Sequence, residues 1–138
     1  MTYRNAPAQL ERCAEAVAAS ARAARAAGVE RIVVRFGDCA VPPTLSGVAA
    51  RLEAILREQV DAVEVIEFGA NLGSAGGSNA LADGRDDDVI WVLNPDTYPS
   101  PTCGVELLES LADADVGAVD ARQIPIEHPK SYDRRSGD

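Results

Sequence analysis

Aromatic side chains are scarce in this chain: two phenylalanines, three tyrosines and one tryptophan, 4% of the residues. Any core must therefore be built from small aliphatic groups, of which alanine is the most plentiful. Cysteine is nearly absent too. Cys13, Cys39 and Cys103 are odd in number and far apart, with no Cys-x-x-Cys pair. That pattern argues against a disulfide framework and against a zinc ribbon. It fits a reduced, cytoplasmic compartment. With His128 as the single histidine, a histidine-based metal site is excluded. Basic residues are outnumbered, 13 against 22 acidic ones, for a net charge of -9. A surface this acidic does not suit general phosphate neutralisation, so nucleic acid is not an expected partner. No apolar run approaches the roughly 20 residues that span a bilayer, and the first residues lack the basic-then-apolar pattern of a signal peptide.

What is present is an ordinary globular composition, 46% hydrophobic over 138 residues, enough for one domain with a real core. The pattern alternates helix and strand, which predicts an α/β domain with a mainly parallel sheet. Leu10, Cys13, Val17, Ala21 and Ala24 share one face of a helix over residues 7–27. Asn5 is expected to cap its start and Gly28 to end it. Strands are expected at 30–36, 62–68, 89–93 and 116–120. Further helices are expected at 47–58, from the glycine-rich turn 71–79 to residue 82, and at 104–112. After Arg122 the chain turns polar and irregular.

Three segments could carry chemistry. The apolar run 89–93 leads straight into Asn94-Pro95-Asp96, so a strand would deliver a carboxylate to its carboxyl end, where α/β sheets bind ligands. A carboxylate there can hold a hard cation that bridges two phosphates. Asn-Pro-Asp is equally ordinary turn chemistry. The run Asn71-Leu72-Gly73-Ser74-Ala75-Gly76-Gly77-Ser78-Asn79 permits close backbone approach and opens a helix whose free N–H groups suit phosphate. It matches neither the dinucleotide fingerprint nor the Walker loop, and a plain strand-to-helix connection explains it as well. Asp38, in Phe36-Gly37-Asp38-Cys39, could accept hydrogen bonds from a base or ribose, or simply cap a turn. Cys39 beside it is expected to be an inert small residue. Asp86-Asp87-Asp88 reads as a solvated loop, and Trp91 as a core residue.

In combination and in order, these segments resemble the N-terminal part of family 2 glycosyltransferases of the GT-A fold. Residues 71–80 are similar to that family's N-x-G-x-x-G-G-x-N element. Val92-Leu93-Asn94-Pro95-Asp96-Thr97 looks like its D-x-D region in the N-P-D form of the rhamnosyltransferase-like branch. Thr2-Tyr3-Arg4-Asn5 looks like the end of the first strand. The resemblance covers almost all of residues 1–138 and implies one domain, the nucleotide-sugar-binding half of a Rossmann-like GT-A fold, truncated at both ends. It implies that Asp96 coordinates a divalent metal, Mg²⁺ or Mn²⁺, with Asn94 assisting. Tyr3, Asp38, Asn71, Gly73 and Asn79 would form the nucleotide-sugar pocket. The implied reaction is inverting transfer of a sugar from a nucleoside diphosphate to a glycan or lipid-linked acceptor. A cell-envelope glycan and a place at the inner face of the membrane are the family's expectations. The alternative is a truncated, inactive nucleotide-sugar-binding module. The family's first apolar strand would precede Thr2, and its catalytic base would lie beyond the D-x-D region. Glu127, Asp133 and Asp138 are candidates for that base only by default.

Overall fold

The computed structural model describes residues 1–124. The molecule is mixed α/β, and its described strands form one small parallel sheet.

Helix α1, Pro7–Ala26, is the longest element. Pro7 suits its first turn, because proline lacks the N–H that would go unpaired there. Asn5 does not cap it: Ala6 holds the cap position without a side-chain bond. The Asn5 side chain instead accepts the Tyr3 N–H at 3.0 Å and donates to Gln9. At the other end the expected glycine stop is present. Gly28 has φ +98°, its N–H donates to the Arg25 carbonyl and the Val29 N–H donates to Ala24. This paired closure satisfies carbonyls that the last turn would leave open.

Strands β1, Val33–Asp38, and β2, Ala62–Glu67, pair in parallel with Val33 opposite Ala62 and Asp38 opposite Glu67. β1 lies about three residues later than periodicity suggested. Ile32 is held outside the ladder, its N–H donating to the Asp61 carboxylate at 2.7 Å and its carbonyl accepting the Asp61 N–H. Between the strands, a 3-10 turn at Leu45–Gly47 leads into α2, Ala49–Leu56.

Side chains alternate across the two strands. Val34, Phe36, Val63 and Val65 face one way and pack against a core of Leu10, Ala14, Ala18 and Ala21 from α1 with Leu45, Val48, Leu52 and Leu56. Burying Leu52 or Leu56 contributes about 2 kcal/mol each. Arg35 and Glu64, directly opposite in register, face the other way. On that second face lies α3, Gly73–Ala82, whose Leu81 sits over Gly37. Helix α4, Cys103–Leu111, packs against α1, where the Gly104 N–H meets Ser20 Oγ at 3.3 Å.

Two predicted strands do not form. Residues 89–93 and 116–120 carry no strand pairing among the described residues, so the sheet is two-stranded rather than broad. Val89, Ile90 and Val92 are 45%, 49% and 62% exposed, which is the opposite of a strand covered on both faces. The physical reason is backbone satisfaction. A strand needs a neighbour within about 5 Å to take its N–H and C=O groups. Residues 89–93 and 116–120 have no such neighbour among the described residues, where the only pairings are β1 with β2 and the single bridge of Thr2 to Asp38. Trp91 is correspondingly not a core residue. It is 37% exposed, with its ring leaning on Gly104.

Candidate functional site

The carboxyl ends of β1 and β2 define the site. Thr2 is buried there: its N–H donates to the Gly37 carbonyl at 2.7 Å, and its own carbonyl accepts the Cys39 N–H at 3.0 Å. The chain then reverses through Arg4, at φ +55°, and enters α1. Tyr3 is left 45% exposed at this rim, with the Arg4 guanidinium 5.4 Å from its ring centre.

Asp38 ends β1 and is fully buried. One carboxylate oxygen accepts the Ala40 N–H at 2.9 Å. The other accepts the N–H groups of Thr44 at 2.5 Å and Leu45 at 2.8 Å, with the Thr44 hydroxyl at 3.3 Å. Burial pushes this carboxyl up, but the backbone donors of Ala40, Thr44 and Leu45 outweigh it and hold the group below the usual carboxylate range. Asp38 thus fixes the shape of the loop 39–45. Cys39 follows it, buried and free of any disulfide.

After β2 the chain turns through residues 68–72 into α3. The Asn71 side chain accepts the Gly73 N–H at 3.0 Å, so it organises the first turn from just outside the helix. Gly73 itself has φ +67°, a conformation that favours glycine. Residues 71–76 are exposed, and so is Asn79, whose carbonyl accepts the Asp83 N–H. Further along, the helix comes so close to the chain's start that a methyl on Gly77 would lie 2.6 Å from Met1 Cγ and 3.1 Å from Cys39 Sγ.

Asp96 follows the unpaired 89–93 segment in a tight turn. The Asn94 carbonyl accepts both the Thr97 N–H at 3.1 Å and the Thr97 hydroxyl at 2.6 Å. Asp96 is exposed. Tyr98, two residues on, stacks under the Arg12 guanidinium at 4.1 Å, which ties this turn to the start of α1. Electrostatics locate the carboxylate further. Burial raises the Cys13 thiol, the Met1 ammonium opposes that rise, and Asp96 adds to it. The Met1 ammonium is itself lowered by burial and feels Cys39 and Cys13. The Met1 ammonium and Asp96 thus both act on the Cys13 thiol, while Met1 itself meets α3 at Gly77.

The predicted residues fall into two groups. Tyr3, Asn71, Gly73, Asn79, Asn94 and Asp96 are exposed. Asp38 is buried, its oxygens occupied by the chain's own N–H groups. Among the described residues, no three His, Cys, Asp or Glu side chains gather into a ready-made metal cluster. Asp96 with Asn94 would offer one carboxylate and one amide to a cation. That donor set suits a hard ion that keeps several waters and takes further oxygens from a phosphate-bearing ligand.

Sequence reasoning missed the charged cluster on the outer face of the sheet. Asp87 is not simply solvated: it accepts from Arg35 at 3.0 Å and lies 3.8 Å from Arg31. Arg35 also reaches Glu64 at 3.0 Å, and Arg85 reaches Glu64 at 2.9 Å. The signal was available in the alternation of β1 and β2, which aims Arg35 and Glu64 to the same side. A groove of about 340 Å³, lined by Ala27, Val29, Val105 and Leu108 among others, lies at the far end of α1, away from the candidate site. The candidate base residues Glu127, Asp133 and Asp138, and His128 with them, lie outside the described residues.

No protein-family model, no curated protein and no solved structure matches the chain. Among the described residues, no helix is long and apolar enough to cross a membrane.

Proposed function

We propose that this chain is the nucleotide-sugar-binding part of a family 2, GT-A-type glycosyltransferase, which transfers a sugar from a nucleoside diphosphate to a glycan or lipid-linked acceptor with inversion. One observation carries this reading: the glycine-rich α3 helix crosses the carboxyl end of β1, where Gly77 meets Met1 and Cys39, and its exposed first turn opens directly after β2. Phosphates seated by the first turn of α3 and a cation held by Asp96 would lie on two sides of one ligand. Tyr3, on the same rim, supplies an aromatic face for a base. Asp38 serves this site by fixing the loop 39–45 rather than by presenting a free oxygen.

In that reading a Mg²⁺ or Mn²⁺ ion bound by Asp96, with Asn94 assisting, neutralises charge that develops on the departing diphosphate. The residues of this chain bind and orient the donor. The unpaired 89–93 segment favours a second reading, binding without turnover. A carboxylate on backbone that no sheet ladder anchors is held less tightly than catalysis demands.

Titration calorimetry with Mn²⁺ and UDP-, dTDP- and GDP-sugars tests the proposal. Binding of at least one nucleotide should tighten with Mn²⁺, and Asp96→Ala should remove that metal-dependent part. Affinity that is unaltered by Asp96→Ala refutes the role assigned to Asp96. Release of nucleoside diphosphate in the presence of acceptor separates transfer from binding alone.

A further inference from the structure

We infer that residues 69–88 form a hinged flap, with α3 as its body, which opens as one unit and is latched shut by the Arg35–Asp87 and Arg85–Glu64 ion pairs. The inference rests on geometry and holds whatever the site binds. Three separate observations support it.

The body of the flap is held weakly. α3 contains three glycines, two serines and an asparagine among its ten residues, all poor helix formers in an interior position. Gly77 is its single buried residue. A helix with so little buried surface belongs to the low-stability end of a fold, where local opening precedes global unfolding.

The two ends differ as a hinge differs from a latch. On the β2 side, Gly69 and Gly73 both have positive φ with open space around them. Rotation there has to release only the Asn71 side chain from the Gly73 N–H among the side-chain bonds of this turn. On the other side the chain is clasped to the sheet by charge. Asp87 bonds to Arg35 of β1 at 3.0 Å, and Arg85 bonds to Glu64 of β2 at 2.9 Å. Arg35 and Glu64 are joined at 3.0 Å, so the latch grips a single charged pair fixed in register. Beyond it, residues 89–92 are exposed and without strand pairing among the described residues, which gives the flap slack to swing.

Something specific lies beneath. Cys39 is fully buried where Gly77 crosses Met1, and Leu81 covers Gly37. Opening would lift both covers, so the Cys39 thiol reports on the flap.

The test combines peptide-resolved amide hydrogen exchange with N-ethylmaleimide labelling of Cys39 in the full chain. In the unaltered protein, the α3 amides should exchange at least about tenfold faster than those in the middle of α1. Asp87→Asn and Arg85→Gln should each speed α3 exchange and Cys39 labelling about threefold or more, with α1 and β2 unchanged. Should a latch variant fail to fold, a salt series on the unaltered chain replaces it. Raising salt to about 1 M weakens these partly exposed pairs, and α3 exchange should rise alone. Equal exchange in α3 and α1 would overturn the inference. So would latch variants that leave Cys39 labelling unchanged, a flat response to salt, or a rise shared by every element.

Discussion

Leu81 of α3 lies directly over Gly37 of β1, so close that a methyl on residue 37 would come within 3.0 Å of its Cδ1. The same methyl would lie 2.7 Å from Phe68 Cε2. Gly37 is thus the seat on which the second layer rests. Gly37→Ala must displace both side chains, at a cost of about 1–3 kcal/mol. Denaturant titration should show that loss.

Asp38 makes the fold acid-sensitive. Its pKa is depressed in the folded chain by the N–H donors of the loop 39–45, despite burial. The stabilisation is therefore complete above the unfolded carboxylate pKa and is lost as pH falls through the lower folded value. Asp38→Ala leaves buried N–H groups unpaired and should cost about 2–3 kcal/mol at neutral pH. Thermal melts from pH 7 downward should show the variant's deficit shrinking in acid. A deficit that stays constant with pH would assign the loss to packing instead.

Gly104 is where α4 meets α1. A methyl there would lie 2.8 Å from Ser20 Oγ and 3.2 Å from the Trp91 ring. Gly104→Ala should separate the helices and expose the indole further. The single tryptophan makes this readable: emission should shift to the red, and Tm should fall by several degrees, as about 1–2 kcal/mol predicts.

Gly28 closes α1 at φ +98°, and a Cβ added there would meet nothing within 4 Å, so only backbone strain opposes a side chain. Gly28→Ala should cost about 1 kcal/mol by chemical denaturation, and Gly28→Asn less, since asparagine tolerates the left-handed region.

Part of the fold was legible in the sequence. In the α1 stripe Leu10, Cys13, Ala21 and Ala24 are buried as spacing implied, with Val17 half-buried against the core. Helix α4 falls within a residue of expectation, and α3 ends at Ala82 as expected but starts at Gly73, inside the run read as a turn. These depend on local periodicity and punctuation. The failures share a physical cause, since strand formation depends on a neighbour that the strand's own residues do not encode. Val89-Ile90-Trp91-Val92 is made only of β-forming residue types yet lies unpaired. The site followed the same division. Gly73 and Asn71 were readable as turn chemistry, and the structure shows them in that role. Asp38 was readable as a turn cap as well as a ligand contact, and the structure shows the cap. That its second oxygen would reach Thr44 and Leu45, six and seven residues on, was not readable in a loop without periodicity.

The seating of Met1 against Gly77 and Cys39 bears on how the molecule is handled in the laboratory. Bulk introduced at Gly77 would press on Met1 and Cys39, so labels that must leave the layers intact are kept away from this seam. Probes and immobilisation chemistry are better attached at exposed positions on the solvent side of α1, such as Arg22.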